Sequence, residues 1–310
     1  MRLFLTFLAF SHLLVAEERY EFERPLMGTL FRIQTYAPSR EEALKVAEAA
    51  FAEAEAINET ASDYIADSEL LDLSQKPAGQ PIVVSARLFG LIDQARSIAV
   101  LTDGAFDPTL GPLTKLWRES RRRQQLPSEE VLDLTRRCSG YQRLICDSAT
   151  STITLQVSGM RLDLGGIAKG QAADAMLAVF FQHKLPSTSI TAGGDVRLGA
   201  PPPGQKGWTV GVRTFDRHKD SETLLLSHCA VSTSGDLQQA VEINGKRYAH
   251  IIDPLTGLGL TRTVAATVIA PTAAQSDALA TACCVLPQHR ARELIKAIPG
   301  CTVHLPEKDQ

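Results

Sequence analysis

The stretch "AGGDVRLGAPPPG", residues 192–204, follows the strand-like run "STSIT" and sets Gly193 and Gly194 before Asp195. A glycine loop after a strand is half of a dinucleotide-binding fingerprint, whose other half is a helix opening on that loop. Here "VRL" and three prolines come next, and no helix-forming run follows. A doubly wound, Rossmann-type reading fails at this point.

Outward from that loop, helices and strands alternate irregularly. In "SREEALKVAEAAFAEAEAINE" (39–59) the residues Ala43, Val46, Ala47, Ala50, Phe51, Ala54 and Ile57 recur at helical spacing, and Ser39 with Glu42 forms a capping box. Ser85 caps and Gly104 stops a second helix in "SARLFGLIDQARSIAVLTDG". Further helices fit "SEEVLDLTRRC" (128–138), residues 167–181, "AAQSDALATACCVL" (273–286) and "QHRARELIKAI" (288–298). Strands fit "LFRIQTY", "RLICD", "TITLQV", "STSIT", "GWTVGVR", "TLLLS", "QAVEINGKRYAHIID" and "TVAATVIA". Asn244-Gly245 between alternating flanks marks a hairpin. The expected class is therefore α+β, with mixed, largely antiparallel sheets and packed helices.

Composition narrows the function. The chain has 310 residues, 32 Lys and Arg against 35 Asp and Glu, and a net charge of -3. That balance provides no field for gathering nucleic acid, and the one basic cluster, Arg118 with Arg121, Arg122 and Arg123, lacks interleaved aromatics. At the N-terminus an apolar run from Leu3 to Val15 follows one arginine and ends at Ala16 before two glutamates. The run is shorter than the ~20 residues of a spanning helix, so residues 1–16 are expected to be a signal peptide. An uncleaved anchor is the alternative. Residues 17–310 would then form one exported catalytic unit, periplasmic or at the outer face of the inner membrane. The six cysteines show no Cys-x-x-Cys zinc pattern, and Cys283 and Cys284 read as helix-packing residues.

In "RLDLGGIAKGQAAD" (161–174) a glycine turn does open a helix, and Lys169 falls in its first turn. The free N–H groups and positive dipole end there favour an anion, and a cation is unfavourable unless an anion is close. Replacing that lysine by glutamate is accordingly expected to cost ligand affinity while barely moving stability. Further on, "SDALATA" sets Asp277 and Thr281 four apart on one helix face, a carboxylate and a hydroxyl able to ligate a hard cation such as Mg²⁺.

Eight stretches, taken in order, resemble the ApbE family of FAD:protein FMN transferases. They are "LMGTLFRI" (26–33), "DYIADSEL" (63–70), "DGAFDPTLGPLTKLW" (103–117), "LDLGGIAKGQAAD" (162–174), "TAGGDVRLGA" (191–200), "VSTSGD" (231–236), "HIIDPLTG" (250–257) and "SDALATA" (276–282). The resemblance implies an ApbE-like, T-fold-like architecture. It also implies an enzyme that binds FAD with Mg²⁺ and moves the FMN moiety onto a threonine or serine of an acceptor flavoprotein, releasing AMP. By the same resemblance Met27, Tyr64, Ala105, Phe106, Asp107, Asp163, Lys169, His250 and Ile252 contact FAD, and Mg²⁺ is held by the Gly166 carbonyl with Asp277 and Thr281. His250 is the candidate base, since a neutral imidazole can accept the hydroxyl proton. Gln171, Leu237, Gln238, Ala249 and Leu255 depart from the family's usual pattern without removing an implied ligand. Two other activities stay open: a Mg²⁺-dependent FAD pyrophosphatase and a non-catalytic FAD-binding protein.

Overall fold

The structure, a computed structural model, describes residues 17–212, 222–235, 240–263 and 265–306. The expected signal peptide, Asp236 of "VSTSGD", and Leu237 with Gln238 lie outside them. In chain order the elements are β1 (Glu18–Leu26), β2 (Thr29–Ala37), α1 (Arg40–Ala61), α2 (Glu69–Leu73), β3 (Ile82–Val83), α3 (Ala86–Leu101), α4 (Gly111–Arg123) and α5 (Glu129–Arg136). There follow β4 (Leu144–Asp147), β5 (Thr152–Leu155), α6 (Ala168–Gln182), β6 (Thr188–Ala192), β7 (Asp195–Leu198), β8 (Trp208–Val212) and β9 (Glu222–Leu226). The chain continues through β10 (Ala230–Gly235), β11 (Val241–Ile243), β12 (Lys246–Tyr248), β13 (Ala265–Ala270), α7 (Ala273–Val285), α8 (Gln288–Lys296) and β14 (Thr302–His304).

Seven strands make the main sheet in the order β1-β2-β6-β7-β10-β13-β14, and every neighbouring pair is antiparallel. The glycine loop at 192–195 is the tight turn between β6 and β7, with Ala192 paired to Asp195. That is why no helix follows it. Three smaller sheets, β3-β5-β4, β8-β9 and β11-β12, complete the α+β arrangement.

Local chemistry sets the element boundaries. Ser39 caps α1 by accepting from Glu42 N, and the buried face of α1 is Ala43, Val46, Ala47, Ala50, Phe51, Ala54, Ile57 and Ala61. Ser85, Ser128 and Thr272 cap α3, α5 and α7 in the same way. Asn244 and Gly245 both take positive φ, 54° and 72°, as a tight hairpin turn demands. One apolar core packs α1 and α6 against β2 and β6, and a second gathers α3, β5, α7 and β13. Helices α6 and α7 cross so closely that a Cβ on Gly170 would overlap the Ala273 carbonyl.

Seven of these elements, α2, α4, β1, β3, β7, β10 and β14, are missing from the sequence reading, and two of them matter most. Residues 111–123 form α4, which opens on Gly111-Pro112 and buries only Gly111, Leu113, Trp117 and Ser120. Residues 18–26 form β1, an edge strand whose glutamates and arginines alternate with half-buried residues. Among the described residues no helix is long and apolar enough to cross a membrane.

Candidate active site

A cleft of about 720 Å³ opens where the β6–β7 turn, the start of α6, α4, α7 and the segment after β12 converge. Its floor is charged. Lys169, the second residue of α6, places its Nζ 3.0 Å from Asp277 Oδ2 and 3.3 Å from Asp195 Oδ2. Both carboxylate side chains are only 5% exposed, and the lysine's is 28% exposed. The anion that makes a first-turn lysine tolerable is thus inside the protein, supplied by β7 and α7.

Electrostatics follow from this triad. Burial alone would lower the Lys169 ammonium's pKa, but Asp277 and Asp195 outweigh it and hold it above its ordinary value. Burial, reinforced by the charge of Asp277, pushes the Asp195 carboxyl up to about 7. Glutamate at 169 would therefore set a third carboxylate beside two buried ones. The expectation that stability barely moves on that replacement is corrected by this geometry. Asp195 itself carries no role in the sequence reading, although it closes the very loop that excludes the dinucleotide fold.

Beside the triad, Thr281 lies one helical turn beyond Asp277, and its Oγ1 is 3.2 Å from Ser234 Oγ of β10. Gly166 sits against Thr281 and Phe106, where a Cβ would come within 3.5 Å of Thr281 Oγ1 and 3.3 Å of the Phe106 ring. Gly166, Asp277 and Thr281 thus all line the cleft, Gly166 beside Thr281. Among the described residues no group of three His, Cys, Asp or Glu side chains forms a metal-holding cluster. A carbonyl, a carboxylate and a hydroxyl are hard oxygen donors that suit Mg²⁺ with other positions left for water and phosphate.

The remaining expected residues divide. Tyr64, Ala105, Phe106, Asp107, Asp163, His250 and Ile252 all line the cleft. Ala105, Phe106 and Ile252 supply buried apolar wall. Asp107 does so with both oxygens engaged: Oδ1 accepts from Thr109 N and Oγ1, and Oδ2 accepts from Tyr141 N at 3.1 Å. Its carboxylate therefore orders the loop that carries Phe106. Asp163 likewise accepts from Gly165 N at 2.9 Å and shapes the glycine turn. Met27 is the exception, for it is not on the cleft wall. It occupies the β1–β2 turn at φ 50° and packs against both cores. That turn reaches the rim through Thr29, which abuts Gly193 of the β6–β7 turn.

Arg118, Arg121, Thr114 and Trp117 of α4 form the outer wall. Reading the basic cluster only for nucleic acid hid this role. The signal available was the helical spacing of Leu113, Trp117 and Ser120, all on the buried face.

This fold and this cleft define a class: the chain belongs to the ApbE family, whose model matches residues 27–305. Particular relatives are the FAD:protein FMN transferase of Treponema pallidum (strain Nichols), 34% identical over 76% of this chain and 69% of that protein, and that of Escherichia coli (strain K12), 28% identical over 93% and 84%. Among solved structures, the ApbE protein of Thermotoga maritima superimposes with a TM-score of 0.81 at 31% identity, covering 93% of this chain and 94% of that one. The flavin transferase ApbE of Vibrio cholerae, as a mutant, superimposes with a TM-score of 0.80 at 26% identity, covering 94% and 98%.

Proposed function

We propose that this chain moves the FMN moiety of FAD onto a threonine or serine hydroxyl of an acceptor flavoprotein, with Mg²⁺ at the Gly166, Asp277 and Thr281 oxygens. It is an FAD:protein FMN transferase, as its curated relatives are named. The observation that supports the residue assignment is that Gly166, Asp277 and Thr281 line one cleft together with Lys169 and His250. Bound there, Mg²⁺ supplies charge neutralisation for the pyrophosphate and its leaving group.

The protein's own groups do the rest. Lys169 and the positive end of the α6 dipole favour phosphate oxygens at that end of the cleft. Phe106, Ala105 and Ile252 offer the apolar surface that excludes water from a bound flavin. The acceptor hydroxyl oxygen attacks the flavin-side phosphorus, the bond from that phosphorus to the bridging oxygen breaks, and AMP leaves with the bridging oxygen. The hydroxyl proton passes to His250.

Export follows from the N-terminal run, so the acceptor would be a protein at the outer face of the inner membrane or in the periplasm. N-terminal sequencing of the protein from an export-competent host should begin at Glu17; a chain starting at residue 1 would reject cleavage. The function is tested by mass spectrometry of a co-expressed acceptor. The wild type should add the mass of FMN, and Asp277→Ala should add nothing while keeping its fold. Labelling by Asp277→Ala equal to wild type would remove the metal assignment, and AMP release without any acceptor would favour the pyrophosphatase.

A further inference from the structure

Arg118 joins three separate parts of the cleft. From α4 its Nη1 lies 2.5 Å from Asp63 Oδ2, at the start of the α1–α2 connection, and its Nη2 lies 3.5 Å from Asp163 Oδ2 in the loop before α6. Its Cζ sits 4.3 Å from the centroid of the Tyr64 ring. Both carboxylates are largely buried, and the guanidinium lies against each of them. Burial and the charge of Asp163 push the Asp63 carboxyl up, and Arg118 opposes that shift.

Tyr64 needs such a partner. It is 74% exposed at the mouth of the cleft, the most exposed aromatic side chain on its wall. Its backbone N–H donates to Ser62 Oγ at 3.1 Å, which fixes the main chain and not the ring. With one face against the guanidinium, the ring of this exposed cleft-lining residue keeps its other face open. An aromatic face steadied at a cleft mouth suits a planar heteroaromatic ring, because less rotamer freedom is lost on binding.

We propose that Arg118 is a positioning residue: bridging Asp63 and Asp163 while lying on Tyr64, it holds that ring as a stacking platform for a heteroaromatic end of the dinucleotide. The inference rests on FAD being the ligand. Lysine is a poor substitute, since an ammonium has no planar face to lay on the ring while it meets the carboxylates.

The test is FAD titration, read by flavin fluorescence, on wild type, Arg118→Ala, Arg118→Lys, Tyr64→Leu and the Arg118→Ala/Tyr64→Leu double variant, with kcat and KM for transfer. Arg118→Ala should weaken FAD binding about three- to tenfold, as expected when one side chain must be ordered on binding, and raise KM alike with kcat within about twofold. Arg118→Lys should fall between. In the Tyr64→Leu background, removing Arg118 should cost less than about twofold more, the signature of an effect that passes through the ring. Undiminished affinity in Arg118→Ala, or an equal further loss in the double variant, overturns the inference. Should the alanine variant not fold, wild-type affinity in Arg118→Lys overturns it instead. A wild type that binds no FAD overturns the functional reading as well, whereas equal binding by wild type and Arg118→Ala overturns this inference alone.

Discussion

Lys169 shows how one side chain can serve both fold and chemistry. It neutralises Asp195 and Asp277, which hold α6, β7 and α7 to one point, and it faces the cleft. Lys169→Glu should therefore lower stability by about 2–4 kcal/mol, somewhat below the loss for a fully buried pair because the lysine is partly exposed. A melting temperature equal to wild type would contradict the ion triad. The cysteines give a second check at this scale. Burial pushes the Cys146 thiol up to about 11 and the Cys283 thiol, with help from Cys301, up to about 12. The thiolate is the reacting form, so at pH 8 only about one part in a thousand of Cys146 is reactive, and less of Cys283. Iodoacetamide should leave both unlabelled in the folded protein at pH 8 and begin to reach Cys146 first as the pH rises. Rapid labelling of Cys283 at pH 8 would show that α7 is not packed as described.

Among the elements, the crossing of α6 and α7 aligns the site. Asp174 on α6 accepts from Ala273 N and Ala274 N, capping α7 from a neighbouring helix, and binds Arg197 of β7 at 2.6 Å. Gly170→Ala would push the two helices apart, because its Cβ meets backbone that cannot swing away. The expected loss is about 3 kcal/mol or more, with flavin transfer falling alongside as Asp277 shifts from Gly166. Unchanged melting and transfer in that variant would show the crossing to be loose. Much at this scale is legible in the sequence, because caps and period are local: Ser39 and Ser85 announce their helices, and the apolar face of α1 is read residue by residue. What escapes is what neighbours decide. In α4 a glycine and a proline open the helix and arginines crowd its end, so its short apolar stripe is outweighed until Trp117 finds its pocket against Ala249. In β1 the outward charges mask a strand that exists because β2 pairs with it along nine residues. Asp195 escapes likewise, since only the folded sheet carries it to Lys169 and Asp277.

For the whole molecule, the cleft predicts a linkage. FAD at a hundred times its dissociation constant stabilises a protein that binds it only when folded by about 2.7 kcal/mol, which corresponds to a rise of about 5–10 °C in melting temperature. On the proposed function the rise should need Mg²⁺, since Asp277 and Thr281 would help hold the cation that neutralises the pyrophosphate. A full shift in the presence of a chelator would detach FAD binding from the metal site.

The strand order of the main sheet also governs when the enzyme comes into being. Phe31 of β2 pairs with Ala192 of β6, and β10 pairs with β13 across a connection that contains the β11–β12 hairpin. A chain emerging from its N-terminus therefore leaves β1 and β2 waiting as a lone hairpin until β6 arrives, and leaves the glycine turn at 165–166 without Asp277 until α7 is made. Contacts so distant along the chain make for slow, late folding. Activity thus begins only when nearly the last helix has emerged, so a partly made chain flavinylates nothing.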